Sequence, residues 1–543
     1  MPRRSGALVE AGVDTVFGVV GSGNFAVTNA LVAGGARYFA ARHECGAAMM
    51  ADGYARTSGA VGVCTVHQGP GLTNALTGIA ESAKSRTPLL VLAADTATGD
   101  LRSNFKVDQA ALARAVGAVP ERAATPETAV ADALRALRRA RVERRTVVLL
   151  LPLDVQAAPS FERTWSRQPL GPAPPRPAPS AVEELADLLV AARRPLLLAG
   201  RGAVLAGAGP GLGELASTVG ALLATSAQAH GLFAGDPWSL GICGGFAGPD
   251  AAELIVASDL VVAFGASLTA WTTRHGALLG PQAKVVQVDL EAVLVDSRVD
   301  MAVLGDAGET ARDVLSELRR RRHRAPGWRT GDVEERVRLS SPRLAAFEDR
   351  SDAEHIDPRV LSLGLDEVLP VERTVVVDSG HFMGYPSMFL QVPDAAGFVF
   401  AQGFQAVGLG LANAIGAAVA RPDRLTVAVL GDGGLLMGLS ELETAVRLAL
   451  PMLVVVYNDA AYGAEVHHFG PSGAPLDTVQ FPDSDLAGIA RGIGADAVTV
   501  RRRADLALLQ EWLSGPRARP MLVDAKVVPT VAAEWLQEAF RGH

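Results

Sequence analysis

Cysteine is scarce in this chain: Cys45, Cys64 and Cys243 are the only three in 543 residues, odd in number and scattered without metal-ligand spacing. That count excludes a disulfide-stapled scaffold and fits a reducing cytosol. Cys45 reads as a small buried thiol. The N-terminus, MPRRSGALVEAGVDTVFG, has two arginines but lacks an apolar core of signal-peptide length. Charge of one sign is also missing: the formal net charge is −8 with acids and bases interspersed. No basic groove results, and nucleic acid is not expected as a partner. The longest uncharged run, Ala395–Ala420, is long enough for a bilayer. Its five glycines, two glutamines and one asparagine argue instead for buried backbone near a ligand. A cytoplasmic protein with no membrane partner is expected, and no short-period repeat is present.

What is there is a large α/β chain. At ~100–200 residues per domain, 543 residues suggest three. Residues 1–165 alternate apolar strands (Val16–Val20, Arg37–Ala41, Gly62–Val66, Leu89–Ala93, Thr146–Leu151) with helices near Cys45–Arg56 and Thr73–Ser85. That alternation predicts a doubly wound parallel sheet. Residues 166–180, SRQPLGPAPPRPAPS, form a proline-rich linker. Residues 181–325 repeat the pattern, with strands at Pro195–Gly200, Ala221–Ser226, Leu260–Gly265 and Lys284–Asp289. The run from Gly207 to Gly213 is out of register with a nucleotide fingerprint and reads as a flexible turn. Arg319–Arg324 reads as a solvated helix end or linker. Residues 350–530 form the third unit, whose first strand is Thr374–Val377.

The third unit carries the most informative stretch. A strand, Leu425–Leu430, ends in Gly431-Asp432-Gly433-Gly434; a helix is expected from about Leu439 to Leu450; Pro451 ends it. A second strand, Met452–Tyr457, then delivers Asn458-Asp459. Glycines let backbone amides approach a phosphate at a helix N-terminus, where the dipole favours negative charge. Asp432 and Asp459 end neighbouring strands, and two hard oxygen ligands there suit magnesium.

This pattern resembles the diphosphate-binding motif of thiamine diphosphate enzymes, with Asp459 standing where the family has a second Asn. Carried over, the resemblance implies metal ligation by Asp432, Asp459 and the carbonyl oxygen of Ala461, with Asn458 in the motif. Gly380, His381 and Phe382 match the loop over the diphosphate. Val407 matches the apolar wedge that bends the cofactor, and Met437 the residue packed on its pyrimidine. Arg42-His43-Glu44 with Gly53-Tyr54-Ala55, together with Gly69-Pro70-Gly71 and Asn74, resembles the family's pyrimidine-binding domain. The resemblance thus covers nearly the whole chain, in the order pyrimidine-binding, central, diphosphate-binding.

In the family a glutamate hydrogen-bonds the aminopyrimidine ring and favours the imino tautomer that removes the thiazolium proton; here it is Glu44. The cofactor then serves as electron sink when carbon dioxide leaves a 2-oxo acid. The resemblance also implies that Glu44 of one subunit works with Asp432 of another, so a homodimer is the minimum unit and a tetramer is common. The branch most resembled is that of acetolactate synthase and benzoylformate decarboxylase. His67 matches an active-site histidine of benzoylformate decarboxylase, and Glu465 a catalytic glutamate of pyruvate decarboxylases. His467 and His468 read as surface residues. Acetolactate synthases place FAD against a region matching Gly265–Trp271, with an arginine-containing sequence; Arg274 is displaced from it here, so the local pattern departs from the FAD-binding one. The leading expectation is decarboxylation of a 2-oxo acid with transfer of the acyl carbanion to a carbonyl acceptor, as in acetolactate synthase. The alternative is a simple 2-oxo acid decarboxylase releasing an aldehyde.

Overall fold

A computed structural model describes residues 6–159, 173–291, 298–325 and 328–541. The first five residues and residues 166–172 of the linker lie outside these. Among the described residues, eighteen strands form three six-stranded sheets, all parallel. The first contains β1 (Thr15–Gly18), β2 (Arg37–Ala40), β3 (Gly62–Val66), β4 (Leu89–Asp95), β5 (Val119–Arg122) and β6 (Thr146–Pro152), ordered β2-β1-β3-β4-β6-β5. The second contains β7 (Pro195–Ala199), β8 (Leu222–Thr225), β9 (Ser239–Ile242), β10 (Leu260–Phe264), β11 (Lys284–Asp289) and β12 (Met301–Leu304), ordered β12-β11-β10-β7-β8-β9. The third contains β13 (Arg373–Val377), β14 (Phe398–Phe400), β15 (Leu425–Gly431), β16 (Met452–Asn458), β17 (Asp496–Val500) and β18 (Met521–Lys526), ordered β14-β13-β15-β16-β18-β17.

Runs such as VVLLL in β6 and LVVVY in β16 are buried along their whole length, as strands covered by helices on both faces require. Each sheet has a crevice where strand order reverses: beyond β1 and β3, beyond β7 and β10, and beyond β13 and β15. In open α/β sheets ligands collect at the carboxyl ends of such strands.

The uncharged run Ala395–Ala420 resolves into β14, a loop, and a helix, Gly410–Ala420, buried against helix Glu44–Ser58. The helices meet backbone to backbone. A Cβ at Gly53 would overlap the Asn413 carbonyl oxygen, and one at Gly416 the Met50 carbonyl oxygen. No helix among the described residues is long and apolar enough to cross a membrane.

Two local expectations change and a third holds. The helix expected from Leu439 to Leu450 is Ser440–Arg447, and a further short helix, Asp432–Met437, precedes it, starting at Asp432 itself. Gly438 donates to the Gly434 and Leu435 carbonyls and ends the shorter; Ala449 at φ +49° follows the longer, ahead of Pro451. The residues from Gly209 open a helix, Gly209–Val219, rather than a flexible turn, with Pro210 in its first turn, where no N–H partner is needed. The run from Arg319 is a helix end as expected: Arg319 and Arg320 close helix Ala307–Arg320, with Arg320 and Arg321 both on Glu317.

Candidate active site

The third sheet ends in a half-buried carboxylate pair. Asp432 follows β15 as the first residue of its helix, and Asp459 follows β16. Burial pushes their carboxyl groups up to about 6 and about 7; Asp432 is the second cause for Asp459. Asp459 Oδ1 accepts from the Ala461 amide at 3.2 Å. Behind them the Lys526 ammonium bridges Asp524 (2.9 Å) and Asp483. Asn458 points to this rear network: its amide donates to Asp524 Oδ1 at 2.8 Å and its oxygen accepts from Ala460 at 3.1 Å. The Asn therefore shapes the turn that presents Asp459 and does not itself line the cavity. Among the described residues no three His, Cys, Asp or Glu side chains gather as a metal site. A divalent cation on Asp432 and Asp459 would need main-chain or ligand oxygens to complete its shell, and hard carboxylate oxygens suit that donor set.

A cavity of about 950 Å³ opens in front of the pair, where the three sheets meet. Gly380, His381, Phe382, Val407, the four residues Gly431–Gly434, Asp459, Ala461 and Glu465 all line it. Met437 does not; it is exposed and packs beside Gly408, where a Cβ would come within 2.7 Å of its own. Phe382 turns inward onto Tyr457, with ring centroids 5.7 Å apart, so it floors the cavity. His381 is buried, and its Nε2 accepts from the Ala533 amide at 2.9 Å. A backbone N–H can only donate, so the proton of this neutral imidazole sits on Nδ1. Burial, with His467 adding, pushes His381 down to about 3. His467 is half-buried with its ring 4.4 Å from that of His381, not a surface residue as the sequence suggests. His468 stacks on Phe540 at 3.9 Å.

The loop carrying Val407 is pinned at both ends by buried carboxylates that sequence reasoning missed. Asp378, pushed up to about 6 by burial, accepts from the Gly408 amide at 2.9 Å and from Leu409 at 3.2 Å. Glu81 accepts from the Gly403 and Phe404 amides at 3.0 and 2.6 Å. Arg56 joins Glu81 (2.9 Å) to Asp52 (2.6 Å) and donates to the Phe400 carbonyl (3.0 Å), tying the first sheet's helices to the third sheet. A charged residue amid apolar helix positions was the available signal, since buried charges are paired.

The first sheet presents a second group. Glu44 begins helix Glu44–Ser58, half-buried, and its Oε2 accepts from Asn74 at 3.0 Å. His67 follows β3. Its Nδ1 donates to the Gln68 carbonyl at 2.8 Å, so Nε2, 3.2 Å from Ser22 Oγ, is left as acceptor. A Cβ on Gly71 would lie 3.0 Å from His67 and 3.6 Å from Glu44 Oε1, so the two side chains flank one glycine. Asn24 and Gln109, both buried, lock the adjoining loops: Asn24 accepts from Gly21 at 2.8 Å and Gln109 from Gly69 at 2.9 Å. Neither Glu44 nor His67 lines the cavity of the Asp432 group.

One chain thus holds a carboxylate pair beside a glycine-opened helix and, apart from it, a carboxylate at a helix start. Family models described as the N-terminal, central and C-terminal domains of thiamine pyrophosphate enzymes match residues 5–114, 182–314 and 378–525. A probable 2-ketoarginine decarboxylase of Pseudomonas aeruginosa is 32% identical over 84% of this chain and 81% of its own length. The chain belongs to the thiamine pyrophosphate enzyme family. This thiamine pyrophosphate enzyme is also similar to a probable acetolactate synthase large subunit of Methanocaldococcus jannaschii, 26% identical over 97% of this chain and 91% of that protein. A sulfoacetaldehyde acetyltransferase of Rhodobacter capsulatus is 28% identical over 91% and 88%.

The central sheet of this thiamine pyrophosphate enzyme contributes one wall of the cavity, including Arg201, which follows β7 and donates through Nη2 to Thr87 Oγ1 at 3.3 Å. Arg274 is spent on main-chain carbonyls, donating to Gly244 at 3.1 Å and to Ala247. At the crevice between β7 and β10, Gly202 donates to the Gly265 carbonyl at 3.0 Å, and a Cβ on Gly200 would overlap that same oxygen. The glycines there are used for packing loop on loop.

Proposed function

We propose that this thiamine diphosphate-dependent enzyme decarboxylates a 2-oxo acid and protonates the product to an aldehyde. The observation that carries the choice is Glu465. It stands in the first turn of helix Gly463–Phe469, half-buried on the cavity wall, four residues beyond Ala461. Among the described residues its carboxyl group has no hydrogen-bond or ion-pair partner. A carboxyl free of partners beside the reacting carbon can deliver a proton there.

Asp432, Asp459 and the Ala461 carbonyl would hold magnesium against the cofactor's diphosphate, and the amides opening helix Asp432–Met437 would face its oxygens. Tightly packed glycines support this fit: a Cβ on Gly434 would come within 2.5 Å of Asp378 Oδ2, and one on Gly463 would overlap Asp459 Oδ2. Val407 and Met437, 40% and 58% exposed in the single chain, would give the cofactor rings an apolar support. Thiamine diphosphate, when bound, supplies a nucleophilic thiazolium carbon and an electron sink for the departing carboxylate. With Oε2 of Glu44 held by Asn74, Oε1 is left to hold a proton at the aminopyrimidine nitrogen. His67, with Nε2 as acceptor, is placed to receive or return a proton near the substrate. Because Glu44 and Asp432 do not line one cavity within the chain, two copies would complete the site, which supports a homodimer as the minimum unit.

Carboligation to a carbonyl acceptor is the second reading, and the acetolactate synthase relatives favour it. Both readings are tested by supplying pyruvate, benzoylformate or 2-ketoarginine with magnesium and thiamine diphosphate and identifying the product. Aldehyde as the main product, falling at least ~10-fold in Glu465→Gln, is expected. Acetolactate or another acyloin as the main product would favour carboligation. Absence of carbon dioxide release from every acid would defeat both.

A further inference from the structure

Helix Ser440–Arg447 belongs to the third sheet's half of the molecule, yet it grips the segment of the first half that ends in Glu44. Glu441 is 2% exposed, although two acids near a helix start would ordinarily face water. Its Oε1 accepts from the main-chain amides of His43 at 2.9 Å and Arg42 at 3.1 Å; Oε2 accepts from Thr444 Oγ1 at 2.7 Å. Glu443 takes the Arg42 guanidinium with both oxygens, at 2.5 and 2.7 Å, and Arg447 donates to the Ala40 carbonyl. The approach is made by a glycine: a Cβ on Gly46, in the first turn after Glu44, would overlap Glu441 Oε1.

We infer that Glu441 is a positioning residue for Glu44, setting the angle at which helix Glu44–Ser58 begins and hence where Glu44 Oε1 lies. The inference rests on the role of Glu44 proposed above. The two main-chain amides can only donate, and Arg42 reaches Oε2 at 3.3 Å as well as Oε1, so a carboxylate meets them with both oxygens, whereas a carboxamide sets an N–H donor against one of them. Helix Asp432–Met437 joins helix Ser440–Arg447 through Gly438 and Leu439 alone, so one short unit carries Asp432 at one end and the grip on Glu44's segment at the other. A misplacement of about 1 Å in a catalytic group costs on the order of 100-fold, which gives such a grip its value.

The test uses the full-length holoenzyme with magnesium and thiamine diphosphate, in Glu441→Gln and in Thr444→Val, which removes one donor to the same carboxylate. Three quantities are measured: cofactor affinity, hydrogen exchange at the Arg42 and His43 amides, and exchange of the thiazolium proton by NMR. In E441Q we expect the two amides to lose protection and thiazolium exchange to slow about 10- to 100-fold, with cofactor affinity within about 3-fold of wild type. T444V should move the same way by less. Amides released with thiazolium exchange unchanged would mean the grip is structural only and would overturn the inference, as would two variants unchanged in both. If E441Q does not fold, T444V decides by the same criteria. Wild-type protein that fails to bind thiamine diphosphate would defeat the functional reading itself, a result separable from either variant outcome, and would remove the inference with it.

Discussion

Counted from its own first strand, the first sheet runs 2-1-3-4-6-5, and so does the third. Their second strands lead to equivalent helices, Glu44–Ser58 and Gly410–Ala420, which pack against each other through Gly53 and Gly416. The residues at matching strand ends nevertheless differ in kind. Beyond the third strand stands His67 in one sheet and Asp432 in the other. The first sheet offers a carboxyl group and an imidazole held by neutral partners, suited to handling protons. The third offers two carboxylates crowded together, suited to a cation. A shared topology supplies a crevice, and the few side chains at its rim decide the chemistry.

The comparison breaks most visibly at Glu44. Glu44→Gln should slow thiazolium proton exchange at least ~100-fold while cofactor remains bound, because only the proton-holding side is touched. Exchange at the wild-type rate, read by NMR, would reject the division of labour. The next largest effect is on the metal side. Asp432→Ala should cost about 10- to 100-fold in magnesium affinity, whereas Asp459→Asn, which keeps an oxygen ligand, should cost much less. Wild-type magnesium affinity should fall as pH drops from about 7 through about 6, since both carboxyl groups must be ionised to ligate. Stability of the metal-free protein runs the other way. Raised native pKa values mean the pair's contribution is fully present below the ordinary carboxylate range and is lost as pH rises toward 7. Thermal unfolding against pH, with and without magnesium, reads both signs. The smallest effect is on packing: Gly434→Ala should destabilise by about 1–3 kcal/mol in denaturant unfolding, because its Cβ crowds Asp378.

Much of this was legible in the chain. Gly62–Val66 and Lys284–Asp289 are strands at the bounds their apolar runs suggest. Short or half-exposed edge strands left no such run: β5 reads VPER, β9 SLGI and β14 only FVF. The inner strand β18 was hidden for another reason. Asp524 and Lys526 interrupt its apolar pattern, and they are tolerated in the interior because they pair with each other and with Asn458. Gly431-Asp432-Gly433 and Asn458-Asp459 announced themselves by spacing. Asp378, Glu81 and Glu441 did not, because their partners are main-chain amides that lie 30, more than 320 and nearly 400 residues away in sequence.

By itself the sequence determined the class of the molecule: three parallel α/β units, and two separate motifs whose residue types suit a diphosphate with its cation and a proton-holding carboxyl. The α/β class follows from local periodicity, which short-range sterics and burial impose, while the proton-holding role of Glu44 is what the family resemblance implies. Only the tertiary structure decided which charges are buried, that His467 sits against His381, and that Asn458 stands behind the site. It also decided that Glu44 stands outside the cavity that Asp432 lines. Such facts depend on which backbone atoms distant segments bring together, and no local pattern encodes them.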